Sequence, residues 1–383
     1  MIKMQYEDEI IDLSKKIYQY AELGSEEYKS SSLIAESLRL HGFKIIFPYM
    51  NMETAFRAEW GKGEPAVGIL AEYDALPNGH SCGHNLIAAW AFGTAINLKD
   101  SIKKGRIVVF GTPAEEGIGK YAGSKAIMAK AGAFKDIDFV VGMHPDDSWN
   151  VGAKALADIT ILAVFNGKAS HMADSPEKGV NALDAAVTAY VGINNLRSWI
   201  KNDKHAVIGM VFRECGNATN VVPEKASLEI DLRSSSGEFL QLLLEKVKNL
   251  LKNVASAFGA NIEIKEITPL YENYKSNRII NKVLEESLNQ FGISPKNLDL
   301  INSVGSGSTD EANVSKVVPT GHLDIKIGFP GIAGHSDDFR IAANPVNAKE
   351  SLIISIEATV NAIKKIMENE NILKEIKKEF NQP

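Results

Sequence analysis

The stretch Glu72-Tyr73-Asp74-Ala75-Leu76-Pro77-Asn78-Gly79-His80-Ser81-Cys82-Gly83-His84-Asn85 gathers carboxylates, a thiol and imidazoles, directly after the apolar run Ala66-Val67-Gly68-Ile69-Leu70. These are the groups that bind metal ions. Gly83 lets the backbone bend tightly enough for Cys82 and His84 to reach one ion. Later come Glu115-Glu116 after a second apolar run, His144 after a third, and His335 in Gly334-His335-Ser336-Asp337-Asp338. Each has a blander reading alone: surface acids, a satisfied buried histidine, an exposed loop histidine, and for Cys82 a small buried hydrophobe. Their common position at strand ends favours the metal reading. Thiol, imidazole and carboxylate suit Zn²⁺, and the imidazoles and carboxylates would also hold Mn²⁺, Co²⁺ or Ni²⁺. Five ligands exceed the three of a mononuclear hydrolytic site and favour two ions. In a turn leaving a central strand, neighbouring side chains diverge, so one of Glu115 and Glu116 can bind metal while the other acts as general base toward a water.

The elements that must position these groups are legible from periodicity. Helical patterns cover residues 9–20 and 26–40, the second stopped at His41-Gly42. Strand-like runs follow at 43–47, 66–70, 106–111 and 138–143, and helical stretches at 85–98 and 122–131 separate the last three. Strands alternating with helices imply an α/β fold with a mostly parallel, doubly wound sheet, which places ligand sites at the carboxyl ends of its strands. From residue 157 the order becomes strand, helix, strand, strand, helix, strand (159–165, 180–196, 206–212, 225–232, 238–257, 261–267), a two-layer βαββαβ insert of ferredoxin-like type. The alternating pattern then returns, with a helix at 277–291, a strand at 322–329, a helix at 348–368 and an amphipathic tail at 372–380. The expected domains are 1–156 with 270–383, carrying the metals, and an inserted 157–269.

A chain of 383 residues with 45% apolar composition can build two cores. Its 42 basic and 48 acidic residues give a net charge of -6, with no basic block to follow a phosphate backbone, so nucleic acid is not an expected partner. The acidic start Glu7-Asp8-Glu9 lacks the layout of a signal peptide, and no apolar run approaches the ~20 residues of a membrane span. A cytoplasmic protein without a membrane anchor is expected. The two cysteines, Cys82 and Cys215, lie in unlike contexts and suggest no disulfide, and a reducing compartment would keep Cys82 free as a ligand.

Over nearly its whole length the chain resembles the zinc-dependent metallopeptidase and aminoacylase family that includes carboxypeptidase G, hippurate hydrolases, auxin-conjugate amidohydrolases and p-aminobenzoyl-glutamate hydrolase. Its amidohydrolase branch carries Asp-x-Asp-Ala-Leu-Pro and then His-Ala-Cys-Gly-His-Asp; here the segments are Glu72-Tyr73-Asp74-Ala75-Leu76-Pro77 and His80-Ser81-Cys82-Gly83-His84-Asn85. The resemblance implies Cys82, His84, Glu116, His144 and His335 as ligands of two divalent ions, Glu115 as general base and Asp74 as support from behind. Asn166-Gly167-Lys168-Ala169-Ser170-His171 resembles the lid motif whose histidine donates to the developing oxyanion, here His171. Asn220-Val221-Val222-Pro223 and Arg233 resemble residues binding the substrate carboxylate. The insert would then be a lid and dimerisation domain, with His171 serving the neighbouring subunit of a homodimer.

Two departures, Asn85 for the branch's Asp and Leu86-Ile87 after it, with Tyr73 and the segment 307–315, bring the chain nearer the p-aminobenzoyl-glutamate hydrolase and basic-dipeptide dipeptidase subgroup. The implied activity is hydrolysis of N-acyl amino acids, aminobenzoyl conjugates or dipeptides with a free carboxylate. The alternatives are a thiol hydrolase using Cys82 and an idle binding protein for amino-acid conjugates. No serine lies in Gly-x-Ser-x-Gly, and Gly305-Ser306-Gly307 is too short a signal for phosphate binding. Loops at 203–205 and 216–219 would shape the pocket.

Overall fold

The computed structural model describes residues 4–200, 205–305 and 307–382; residues 203 and 204 of the pocket loop and Ser306 of the glycine turn lie outside the described residues. The chain opens with α1 (Glu7–Tyr20) and α2 (Tyr28–Leu40), each burying one apolar stripe. Then come β1 (Lys44–Ile46), β2 (Phe56–Lys62), β3 (Ala66–Ala71), α3 (His84–Ser101), β4 (Gly105–Gly111), α4 (Ser124–Ala131), β5 (Phe139–Asp146) and β6 (Asn150–Val151). The insert supplies β7 (Ala157–Asn166), α5 (Ala182–Asn195), β8 (Ala206–Glu214), β9 (Lys225–Ser234), α6 (Gly237–Ala257) and β10 (Asn261–Glu266). After it run α7 (Arg278–Asn289), β11 (Lys296–Asn297), α8 (Glu311–Val317), β12 (Thr320–Lys326), α9 (Asp337–Ala342), α10 (Lys349–Met367) and α11 (Glu370–Phe380).

Two compact units result. One holds the chain up to Lys154, Tyr274–Ser303 and the part from Thr309 on; the other holds Ala155–Asn273 and Val304–Ser308. The sheet of the first runs β1-β2-β4-β3-β5-β12-β6-β11. β4, β3, β5 and β12 are parallel neighbours, whereas β1 and β2 pair antiparallel and β6 is antiparallel to β12 but parallel to β11. The sheet is thus mixed, and the expected mostly parallel arrangement holds at its centre. Outside the centre the strands are short or join their neighbours antiparallel, where crossover helices are not needed.

β3 is buried along all of its length, as a central strand covered on both faces should be. Val67 and Ile69 face the core built by α1, α3 and α10, while Ala66 and Leu70 face the opposite core with Phe110, Val140 and Met128. That period-two split carries past the strand, so the alternate residues Glu72 and Asp74 follow the same parity. α3 is apolar around most of its circumference because it lies between the sheet and two other helices. β3 is flanked by β4 on one side and β5 on the other, so the chain changes direction across it and opens a crevice at the strand ends.

The insert is an antiparallel sheet ordered β10-β7-β9-β8, with alternating burial along β7 and β9 and with α5 and α6 packed on the buried face. Asn181 and Ser236 cap the two helices through side-chain oxygens.

A short segment before α2 braces the loops that leave the sheet. The Ala75 N–H donates to the Glu22 carbonyl (2.8 Å), the Tyr121 N–H to Ser25 Oγ (2.8 Å), and the Ala114 N–H to Glu27 Oε1 (2.8 Å). Ala114 is left-handed (φ 56°), a conformation costing a non-glycine residue on the order of 1 kcal/mol, so the Glu27 acceptor holds a strained turn. Burial, with the Asp74 carboxylate, pushes the Glu27 carboxyl up to about 7 from an ordinary 4.5. Between those values the folded protein keeps a proton that the unfolded chain has released, so stability falls as pH rises through the window and stays reduced above it. E27Q keeps an acceptor for Ala114 but cannot titrate. In urea denaturation we expect the wild type to lose on the order of 2–3 kcal/mol relative to E27Q between pH 5 and 8. A wild-type-to-variant difference independent of pH would contradict this account.

Candidate metal centre

Three adjacent parallel strands and one loop deliver the cluster. Cys82 and His84 lie on the turn after β3 and at the start of α3, Glu115 and Glu116 follow β4, His144 lies near the end of β5, and His335 follows β12. Cys82 Sγ stands 3.3 Å from His144 Nε2, and His335 Nε2 is 3.4 Å from Glu116 Oε1. His84 Nε2 is 3.6 Å from Glu72 Oε2, 3.8 Å from Glu115 Oε2 and 3.9 Å from Glu116 Oε1. Three ligand groups emerge among the described residues: Cys82, His84 and His144; Cys82, Glu116 and His335; and Glu72, His84 and Glu115. Cys82 and His84 each appear in two of them.

The histidines are oriented by what their second nitrogens do. His84 Nδ1 donates to Asp74 Oδ1 (2.9 Å) and His144 Nδ1 to the Pro145 carbonyl (2.7 Å), so each turns Nε2 toward the cluster. The other oxygen of Asp74 accepts the Glu116 N–H (3.1 Å), tying the β3 loop to the β4 loop. His335 is left-handed (φ 62°) and is pinned by its N–H to the Ser81 carbonyl and by Asn78 Nδ2 on its own carbonyl.

The electrostatics describe a crowded, half-dry site. Burial first, then Glu72, pushes the Glu115 carboxyl up to about 8; burial and Cys82 push Glu116 up to about 9. Burial opposes charge on His84, yet Asp74 and Cys82 raise it well above the ordinary imidazole. Cys82 is likewise opposed by burial, but His144 and His84 draw the thiol well below its ordinary value.

The residues fit divalent ions. His84 Nε2, Glu72 Oε2 and Glu116 Oε1 are buried without hydrogen-bond partners, although groups so placed are normally paired. Ligand atoms about 2.1 Å from one tetrahedral ion stand about 3.4 Å apart. The 3.3 to 3.6 Å separations of Cys82 from His144, His335 from Glu116 and His84 from Glu72 are of that size. All the residues singled out on the first unit therefore converge.

In the insert, exposed His171 lies beside Asn220 in a short antiparallel pairing: His171 bridges to Val221 and the Met172 N–H donates to the Asn220 carbonyl (3.0 Å). His171 Nδ1 accepts from the Ala173 and Asp174 N–H groups, which leaves the proton on Nε2. Arg233 sits apart on β9, its guanidinium against Asp231 (3.0 Å) and Asp158 (3.5 Å). Asn85, the departure from the branch pattern, donates to Ser14 Oγ and the Ala343 carbonyl, a bracing task that an acceptor-only aspartate could not do.

Sequence reading singled out neither Glu72, a member of one of the three groups, nor Lys125, wholly buried between Glu72 (2.9 Å) and Asp310 (2.6 Å). The parity of residues 72 and 74 after a period-two strand carried the signal for Glu72. Nothing local marks Lys125, whose partner Asp310 is far away in sequence.

The peptidase dimerisation domain of the M20 type matches residues 151–258. The chain is 31% identical over 385 residues to the Xaa-Arg dipeptidase of Mus musculus, covering 96% of this chain and 88% of that one. It is 29% identical over 304 residues to one of the subunits of the p-aminobenzoyl-glutamate hydrolase of Escherichia coli, covering 73% and 62%. In fold it is similar to a Bacillus subtilis protein described as a dinuclear metal-binding peptidase of the M20 family, with a TM-score of 0.68 at 20% identity over 95% of this chain and 99% of that one. With this likeness running along almost its full length, the chain belongs to the M20 family of metallopeptidases and is a hydrolase.

Proposed function

We propose that the protein hydrolyses the amide bond of small substrates with a free carboxylate: dipeptides, N-acyl amino acids or aminobenzoyl-amino acid conjugates. The observation that carries this reading is Glu115 beside a converging set of thiol, imidazole and carboxylate donors. Cys82, His84, Glu116, His144 and His335 would hold two divalent ions, Zn²⁺ by donor type, with Mn²⁺, Co²⁺ or Ni²⁺ as acceptable substitutes. Bound there, the ions supply Lewis acidity and lower the pKa of water.

Glu115 takes a proton from the attacking water and returns it to the leaving amine. Position supports that role, because Glu115 Oε2 stands 3.8 Å from His84 Nε2, beside the converging donors. Asp74 fixes the His84 tautomer and, through the Glu116 N–H, the distance between the two loops. His171, with its Nε2 proton free, donates to the developing oxyanion, while Asn220 and Arg233 receive the substrate carboxylate; Arg233 would exchange part of its present pairing with Asp158 and Asp231 for that task. The Mus musculus relative, an Xaa-Arg dipeptidase by name, puts dipeptides ending in arginine first on a substrate panel.

The βαββαβ insert, of ferredoxin-like strand order, serves as lid and pairing surface in a homodimer. Its edge strand β8 leaves Val207 and Val211 exposed, and α5 leaves Val187 and Val191 exposed one turn apart. The thiol at Cys82 suits a reducing, cytoplasmic setting.

Amino acids released from a panel of dipeptides, N-acyl amino acids and p-aminobenzoyl-glutamate, followed by mass spectrometry, should disappear on chelation and return with Zn²⁺ or Mn²⁺; release that survives complete metal removal would favour Cys82 as a nucleophile instead. E115Q should keep its metal content yet lose turnover by about three orders of magnitude or more. Near-normal turnover would exclude Glu115 as the base. Light scattering should give a dimer, and a fully active monomer would remove the shared-site arrangement.

A further inference from the structure

Glu72 divides its two oxygens between different tasks. Oε1 is held by the Lys125 ammonium at 2.9 Å, and Lys125 is held in turn by Asp310 at 2.6 Å and, through its own N–H, by Asp310 Oδ2 at 2.9 Å. All three side chains are buried. Oε2 points the other way, has no hydrogen-bond partner, and stands 3.6 Å from His84 Nε2. That distance is too long for a hydrogen bond and close to the separation of two donors on one ion. Asp74 engages the other His84 nitrogen, and Nε2 itself has no hydrogen-bond partner.

Charge points the same way. Lys125 is one cation facing two carboxylates, so the triad retains a net negative charge in a buried setting, where an unpaired charge is expensive. Isolated from the rest of the site, the triad would be a poor design. Placed against His84 and Glu115, it supplies a preoriented anionic oxygen.

We propose that Glu72, oriented by Lys125 and Asp310, is an additional oxygen donor to the ion that His84 holds. Its length matters. Where the resembling branch carries Asp at this position, the extra methylene of Glu72 lets one oxygen reach Lys125 while the other reaches the cluster. This inference rests on the metal-centre reading above.

The test is calorimetric titration of the metal-stripped full-length protein with Mn²⁺ and with Zn²⁺, alongside metal counting by mass spectrometry, so that no activity assay is involved. Wild type should take up two ions. E72Q, of equal size, should retain one near wild-type affinity and bind the other ten- to a hundredfold more weakly. E72D keeps the charge but is one methylene short, and should weaken the same ion. It also stands in for E72Q if thermal melting shows that the glutamine variant does not fold. Two ions bound at wild-type affinity by the variants would overturn the inference while leaving the metal centre intact, and would assign Glu72 to anchoring Lys125 alone. No ion bound by wild type would overturn the metal-centre reading, and the inference with it.

Discussion

Asp74 is the interaction on which the site turns. One oxygen sets the tautomer of His84, the other accepts the Glu116 N–H, and the side chain is buried against the end of β3. Burial raises the carboxyl, but His84 more than offsets it and holds the group below the usual carboxylate range. A fixed anion here makes His84 present Nε2 outward and holds two loops, from two different strands, in one register. An asparagine could preserve one of these bonds but would lose the charge that keeps the imidazole facing the cluster.

Around that point the fold concentrates more buried carboxylates than it offsets with protein cations. Glu72, Glu115, Glu116, Asp74 and Asp310 converge with Cys82 on His84, His144 and Lys125. Such crowding is tolerated because rigid neighbours prevent the side chains from separating. The left-handed Ala114, braced by Glu27, aims the Glu115-Glu116 turn, and the left-handed His335 is clamped by the backbone of Ser81 and the side chain of Asn78. Local stability is given up there so that donors face one another before any ion arrives.

How much of this is legible in the sequence follows from the range of each interaction. Runs such as 66–70 and 106–111 announce themselves because buried parallel strands need continuous apolar residues, and polar groups just beyond them must fall at the sheet edge. β2 lacks a continuous apolar run and alternates instead, Phe56-Arg57-Ala58-Glu59-Trp60, a half-buried strand pattern that the reading passed over; the surface network of Arg57 and Glu59 with Arg106 and Asp136 is assembled only by the fold. The two-residue strands β6 and β11 carry no periodic signal at all. Lys125, in a short helix rich in alanine, reads as an ordinary surface lysine. Its burial depends on Asp310, brought beside it by the packing of α4 on α8.

The same geometry separates a thiolate that donates from one that attacks. A nucleophilic cysteine needs an accessible sulfur with one histidine serving as its base. Cys82 is instead half-buried, 3.3 Å from His144, and shared between two ligand groups that also take in His84, Glu116 and His335. Attack on a carbonyl would require the sulfur to leave this ring of donors. A sulfur bordered by both donor groups is well placed to be common to two ions. In that position its low proton affinity would serve binding, and under the proposed function the proton transfers of the reaction would fall to its neighbour Glu115.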